Sequence, residues 1–261
     1  MPELPEVEHA ARRLARAALG KTIASVKAIH PALKRKLLPA QARAVKGKRI
    51  DRIERRGKHQ LIHLDSGDTL VVHFRMNGDW ELGTSSAPLE PFARAVIDLV
   101  DGTRISLVDR RALSSITLDK QGASSLPKLG REASDSALDA DYLLAALGRR
   151  KVAIKPALMD QSVVAGLGNI YAAEALWEAE LDPRRPAATV TKAKLARLVE
   201  AIRLVLSSRK RRPGRYTEKR GVERFAVYDR EGKGCRRCDG LIARIVQAGR
   251  STYFCPGCQL G

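Results

Sequence analysis

No cysteine occurs before position 235, and all four lie between 235 and 258. That placement suits metal ligation in an intracellular, reducing compartment better than a disulfide framework. No stretch approaches the roughly 18 apolar residues of a membrane span. The first residues lack a basic segment followed by an apolar core, so no secretory signal is read. Internal repeats and low-complexity tracts are absent as well. Carboxylates are scarce: 29 Asp and Glu stand against 48 Lys and Arg, a formal net charge of +19. That excess is large for an enzyme of small molecules and suits a polyanion, nucleic acid first. Hydrophobic residues make up 44%, enough for a real core, and 261 residues allow one to three domains.

The order of patterns along the chain divides it. "PEVEHAARRLARAALG" predicts a helix, with Pro5 at its first position, Glu6 and Glu8 set against the dipole, and Gly20 as the stop. From about 22 to 118 the segments "TIASVKAI", "RIDRIERR", "HQLIHLD", "TLVVHF", "ARAVIDLV" and "RISLVD" alternate apolar and polar residues between turn signals. Short strands at that spacing predict an antiparallel sandwich or barrel. Residues 119–136 are rich in Ser, Gly and charge and read as a linker. Helical patterns follow, and 210–226, "KRRPGRYTEKRGVERFA", reads as a basic loop. The expected fold class is α+β and multidomain: a helix and sandwich over 1–118, the linker over 119–136, a helical module over 137–226 and a cysteine-bearing end over 227–261.

Cys235, Cys238, Cys255 and Cys258 give C-x2-C-x16-C-x2-C. Each pair grips from a tight knuckle, and four thiolates complete a tetrahedral zinc shell with no position left for water, so one structural zinc is expected. "LIARIVQAGRSTYF" between the knuckles reads as a β-hairpin with "AGR" at its tip, displaying Arg244 and Arg250 beside Arg236 and Arg237 of the first knuckle. "AGLGN" runs through two glycines into Asn169 and a new helix, which offers free N–H groups to a phosphate, with Lys155 upstream. The chain opens "MPELPEVE", three carboxylates around two prolines at an end that usually frays.

"MPELPEVE", "IKPALMDQSVVAGLGNIYAAEAL" and the terminal four-cysteine hairpin, in this order over nearly the whole chain, closely resemble the formamidopyrimidine-DNA glycosylase/endonuclease VIII family of base-excision repair enzymes. "RRGKHQLIHL" and "HFRMNGDWEL" resemble its strand segments. The opening is that of the formamidopyrimidine branch, and the helical segment looks like its helix–two-turn–helix motif. The resemblance implies a bifunctional glycosylase and abasic-site lyase, with DNA in a cleft between a sandwich and a helical module. Once Met1 is removed, Pro2 is implied as the amine nucleophile and Glu3 as the acid/base, with Glu6 shaping the site. Lys58 matches the family's lysine near the phosphates and the lesion. Lys155, Asn169 and Arg250 match phosphate contacts. Met76, Arg111 and Leu113 match the residues that fill the gap left by a flipped nucleotide. Tyr171 and Glu174 read as packing.

Two departures stand out. "VDRRALSS" aligns with the family's Asp-Pro-Arg-Arg-Phe-Gly segment, so Leu113 stands where phenylalanine is usual, Arg110 replaces the proline and Ser114 the glycine. "SSRKRRPGRYTEKRGVERFA" looks shorter than the branch's lesion-covering loop and lacks its Gly-Gly-Ser/Thr-Thr sequence. Both lead to the expectation that formamidopyrimidines and hydantoins are released faster than 8-oxoguanine. The rival expectations are a preference for oxidised pyrimidines, as in endonuclease VIII, and a catalytically silent nucleic-acid-binding protein. The expected partner is damaged double-stranded DNA, met by a monomer in the cytoplasm at the nucleoid, with no membrane involved.

Overall fold

The computed structural model describes residues 2–207 and 225–260. Two compact units divide the chain, Met1–Pro127 and Lys128–Gly261.

The first unit opens with helix α1 (Leu4–Ala18). Leu4 rather than Pro5 is its first residue, and Pro5 takes the second place, where an absent N–H still breaks no helical bond. Its buried stripe is Leu4, Val7, Ala10, Ala11, Leu14 and Ala18. Two four-stranded antiparallel sheets carry the rest. One has the order β1 (Ile23–Ala28), β6 (Ala93–Leu99), β7 (Thr103–Val108), β5 (Asp79–Thr84). The other runs β2 (Ile50–Arg56), β3 (His59–Leu64), β4 (Thr69–His73), β8 (Ser115–Asp119). Leu14 of the helix, Val26, Trp80, Ile97 and Leu107 of the first sheet, and Ile62, Val72 and Ile116 of the second form one core. Burying an indole requires a partner for its N–H; Trp80 Nε1 donates to Gln60 Oε1 at 2.8 Å, which ties the two sheets together. Two short helices, α2 (Pro31–Lys34) and α3 (Pro39–Ala44), lie between β1 and β2.

In the second unit, β9 (Arg131–Glu132) pairs in parallel with β10 (Val164–Ala165). The stretch 119–136 is therefore not a single tether: Asp119 ends β8, and Arg131–Glu132 is hydrogen-bonded into the second unit. The helices are α4 (Ala140–Leu147), α5 (Ile154–Met159), α6 (Asn169–Glu178) and α7 (Lys192–Leu206). A hairpin of β11 (Ala243–Gln247) and β12 (Arg250–Phe254) closes the chain. Residues 210–224 of the expected basic loop lie outside the described residues.

Candidate functional site

Glu3 is the N-cap of α1 and is only 1% exposed. The Glu6 carboxylate, one helical turn on, accepts from the Glu3 backbone N–H at 3.0 Å. One of the donors that a helix start leaves unpaired is thus satisfied. The terminus is anchored, and Pro2 is half-buried just ahead of it. Glu8 adds a second tie: its carboxylate accepts from Arg55 Nε at 2.7 Å and from Arg12 Nε at 2.7 Å. Arg55 also donates to the Gly57 carbonyl at 3.1 Å. Burial pushes the Glu8 carboxyl up, but the two guanidiniums win and hold it below its ordinary range.

Arg55 leads into the turn that carries Lys58. Arg56 pairs with His59, so Gly57 and Lys58 are the whole of a two-residue hairpin loop. Gly57 takes φ +58, as the primed hairpin turns require, and Lys58 is left 6% exposed. Opposite it across β3 and β4, His59 and His73 meet edge to face, ring centroids 4.6 Å apart. Burial lowers His59 to about 4, and Arg75 adds to it. Burial, then the facing His59, then Arg75 and Lys58, lower His73 to about 3. His73 Nδ1 accepts from the Arg75 N–H at 2.9 Å, which places its proton on Nε2. This neutral histidine pair was not among the residues singled out from the sequence. Its members are 14 residues apart and only strand register joins them.

Met76 sits on the turn between β4 and β5 and is 36% exposed, so it is not core. Gly78 permits that turn: a Cβ there would stand 2.8 Å from the Phe74 Cα and carbonyl oxygen. Arg111 and Leu113 lie on the β7–β8 loop, both exposed, Leu113 at 41%. Asp109, buried beneath, shapes the loop. Its Oδ1 accepts from Arg111 N at 3.0 Å, and its Oδ2 accepts from Leu113 N and Ser114 N, each at 2.7 Å.

In the second unit Lys155 on α5 is 1% exposed. Its Nζ donates to Asn169 Oδ1 at 2.5 Å, Thr252 Oγ1 at 2.8 Å and the Ser251 carbonyl at 3.0 Å. Asn169 is the first residue of α6, after the extended N-cap Gly168, and its amide also donates to the Ser251 carbonyl at 3.1 Å. The Thr252 hydroxyl in turn donates to Gln247 Oε1 at 2.9 Å. The hairpin tip is Ala248–Gly249, with φ +47 and +71, and Arg250 follows it, exposed. Lys155, Asp160, Gln247 and Arg250 line one pocket. Glu174, which also belongs to α6, accepts backbone N–H groups from Ala226, Val227 and Tyr228 at 2.7, 2.9 and 2.9 Å. Burial pushes its pKa up against the pull of those three donors. Its role is structural: it fixes the chain entering the cysteine region.

The four cysteine sulfurs lie within 4.8 Å of one another. Cys235 and Cys258 are 3.8 Å apart and Cys238 and Cys255 3.5 Å, and all four are free thiols. Disulfide sulfurs sit at about 2.05 Å, whereas a zinc tetrahedron with bonds of roughly 2.3 Å has edges of about 3.8 Å. The set therefore fits one zinc, with four protein ligands and a structural role. Gln259 braces it: Oε1 accepts from Cys255 N at 2.8 Å and Nε2 donates to the Leu181 carbonyl at 2.9 Å.

Comparison with known proteins gives three family matches in chain order. The formamidopyrimidine-DNA glycosylase N-terminal domain matches residues 1–116, the H2TH domain of the same enzymes 129–215, and a zinc finger found in FPG and IleRS 232–260. The chain belongs to the formamidopyrimidine-DNA glycosylase family. It is 40% identical over 272 residues to the formamidopyrimidine-DNA glycosylase of Chloroflexus aggregans, covering 100% of this chain and 99% of that protein. The Ruegeria pomeroyi glycosylase is 37% identical, covering 99% of this chain and all of its own. Among solved structures, MutM in complex with DNA containing carbocyclic 8-oxo-G matches with TM-score 0.90 and 31% identity over the whole of both chains. The Lactococcus lactis glycosylase non-covalently bound to abasic-site DNA matches with TM-score 0.88 and 30% identity, over 99% of this chain and 100% of that one.

Proposed function

We propose that this formamidopyrimidine-DNA glycosylase releases oxidised purines from DNA in base-excision repair and cleaves the strand at the abasic site it makes. The observation that carries the chemistry is the anchored start of α1, where the buried Glu3 and its bond to Glu6 hold Pro2 in place. With Met1 removed, Pro2 is a secondary amine. An α-amino group titrates near about 8, far below lysine, so part of it is neutral at physiological pH. The neutral nitrogen attacks sugar C1′, the glycosidic bond breaks, and the base leaves with its electron pair. Glu3 serves as the acid/base for ring opening, which yields the imine that undergoes β,δ-elimination.

Lys58, fixed at its hairpin turn, faces the phosphates near the lesion. Met76, Arg111 and Leu113 are presented on exposed turns of one unit, as filling the gap of a flipped nucleotide requires. Asn169 and Arg250 bind phosphate. Lys155 was expected at phosphate beside them; its hydrogen bonds to Asn169, Ser251 and Thr252 support a role in organising Asn169 and the hairpin. Among the described residues no helix is long and apolar enough to cross a membrane, and the enzyme acts as a monomer on intracellular DNA.

Borohydride trapping tests the nucleophile. A covalent enzyme–DNA adduct should map to the N-terminus, weaken in Pro2→Gly and vanish with an N-terminal tag. Full lyase activity from protein whose intact mass retains Met1 would refute the assignment. For the lesion, ring-opened formamidopyrimidines and hydantoins cost less to extrude than 8-oxoguanine. Their single-turnover release should be faster, and equal rates with a strong demand for cytosine opposite would reverse that order.

A further inference from the structure

Phe92 is an exposed aromatic residue at φ +65, a backbone region that bulky L-residues enter only under strain. Two guanidiniums lie over its ring: Arg110 at 5.3 Å from the centroid and Arg94 at 5.7 Å. Arg94 occupies the register shift between Ala93 and Ala95, where β6 bulges against the end of β7. A bulge re-aims the side chain it carries. Here Arg94 Nε donates to the Asp109 carbonyl at 2.6 Å and Nη2 to the Arg110 carbonyl at 3.2 Å. The bulge is held from behind, because the Arg94 carbonyl accepts from Ile29 N at 2.8 Å and His30 N at 3.1 Å. The Phe92 carbonyl in turn accepts from Asp109 N at 3.1 Å.

These contacts converge on residues 109–110, the entry to the loop that presents Arg111 and Leu113. Asp109 fixes the loop amides from within, and Arg94 and Phe92 fix the carbonyls and the Arg110 side chain from outside. In the family pattern a proline stands at position 110 and would limit the backbone by its ring; here Arg110 leaves φ free. The geometry points to an Arg94–Phe92–Arg110 stack as the positioning device that takes over the rigidity of that proline and sets Arg111 and Leu113 for insertion into the duplex. Phe92, Arg94 and Arg110 act through the loop and are not catalytic residues. The inference rests on the gap-filling role given above to Arg111 and Leu113.

The test uses full-length, zinc-loaded protein and a duplex with 2-aminopurine opposite a tetrahydrofuran abasic site, which the enzyme binds without cleaving. Phe92→Leu keeps bulk but removes the aromatic face. It should slow the 2-aminopurine rise about fivefold and shrink opposite-base discrimination to a similar degree. Phe92→Tyr should restore both. Arg110→Ala should match Phe92→Leu, and the double variant should be no worse than either single one, since both break one stack. Borohydride trapping on single-stranded abasic DNA, which has no gap to fill, should be unchanged in Phe92→Leu. A wild-type rise in Phe92→Leu, or additive losses in the double variant, overturns the brace while leaving the gap-filling reading in place. Wild-type behaviour of both Arg111→Ala and Leu113→Ala overturns the gap-filling reading, and the brace with it.

Discussion

An ammonium group has three N–H bonds, and Lys155 makes three bonds to uncharged oxygens of the protein. A buried cation is costly unless its donors are satisfied. This distinguishes it from Arg250, which is exposed at the hairpin tip. Lys155→Met should lower unfolding free energy by about 2–3 kcal/mol, because a buried charged group and its acceptors lose their partners. It should also weaken DNA binding while leaving the salt dependence of log K almost unchanged. Arg250→Ala should leave stability alone and reduce that salt slope by about one, as loss of a single phosphate contact does. Titrating binding against salt for both variants checks the pair. Sequence alone placed Lys155 and Asn169 in the same group. It could not show that Lys155 is buried, because its acceptors at Ser251 and Thr252 are 96 and 97 residues away.

At the scale of elements, the β3–β4 pair brings together His59 and His73, each with a pKa depressed by burial, to about 4 and about 3. In the unfolded chain both take up protons near pH 6.5. The unfolded state therefore binds more protons below that pH. Stability is full above it and falls as pH drops toward 4 and then 3. For the pair the loss between pH 7 and pH 5 is on the order of 2 kcal/mol, discounted for their partial exposure. Urea midpoints against pH should show it, and His59→Asn should flatten the slope. Six of the eight sandwich strands were legible because alternation leaves little choice of face, whereas β5 was reached only through the resemblance of "HFRMNGDWEL" and β8 was not read. Elements too short to repeat a pattern along one face carry little such signal: α2, α3 and the β9–β10 pair were not read. The bulge at Arg94 was invisible too, since it exists only relative to β7. The cysteine spacing was legible because two knuckles at fixed separation are a local pattern, whereas Glu174 finds its acceptor role 52 to 54 residues downstream.

At the scale of the whole molecule, zinc and the hairpin belong to the second unit and the α1 chemistry to the first. Chelation should release one zinc per chain and remove tight DNA binding by loosening the strand that carries Arg250. The sandwich of the first unit should keep its melting transition. Metal analysis alongside calorimetry checks this, and active protein without zinc would contradict it. The chain has two tryptophans, one for each unit. Trp80 is sealed against Gln60 in the sandwich core, while Trp177 packs in the cluster with the cysteines, the Arg237 guanidinium 4.1 Å over its ring. Each half of the enzyme thus carries its own intrinsic fluorophore. With Trp80→Phe, emission reports only the metal-bearing half, and with Trp177→Phe only the half that holds Pro2, so the order in which the two halves come apart can be followed optically without attaching a dye.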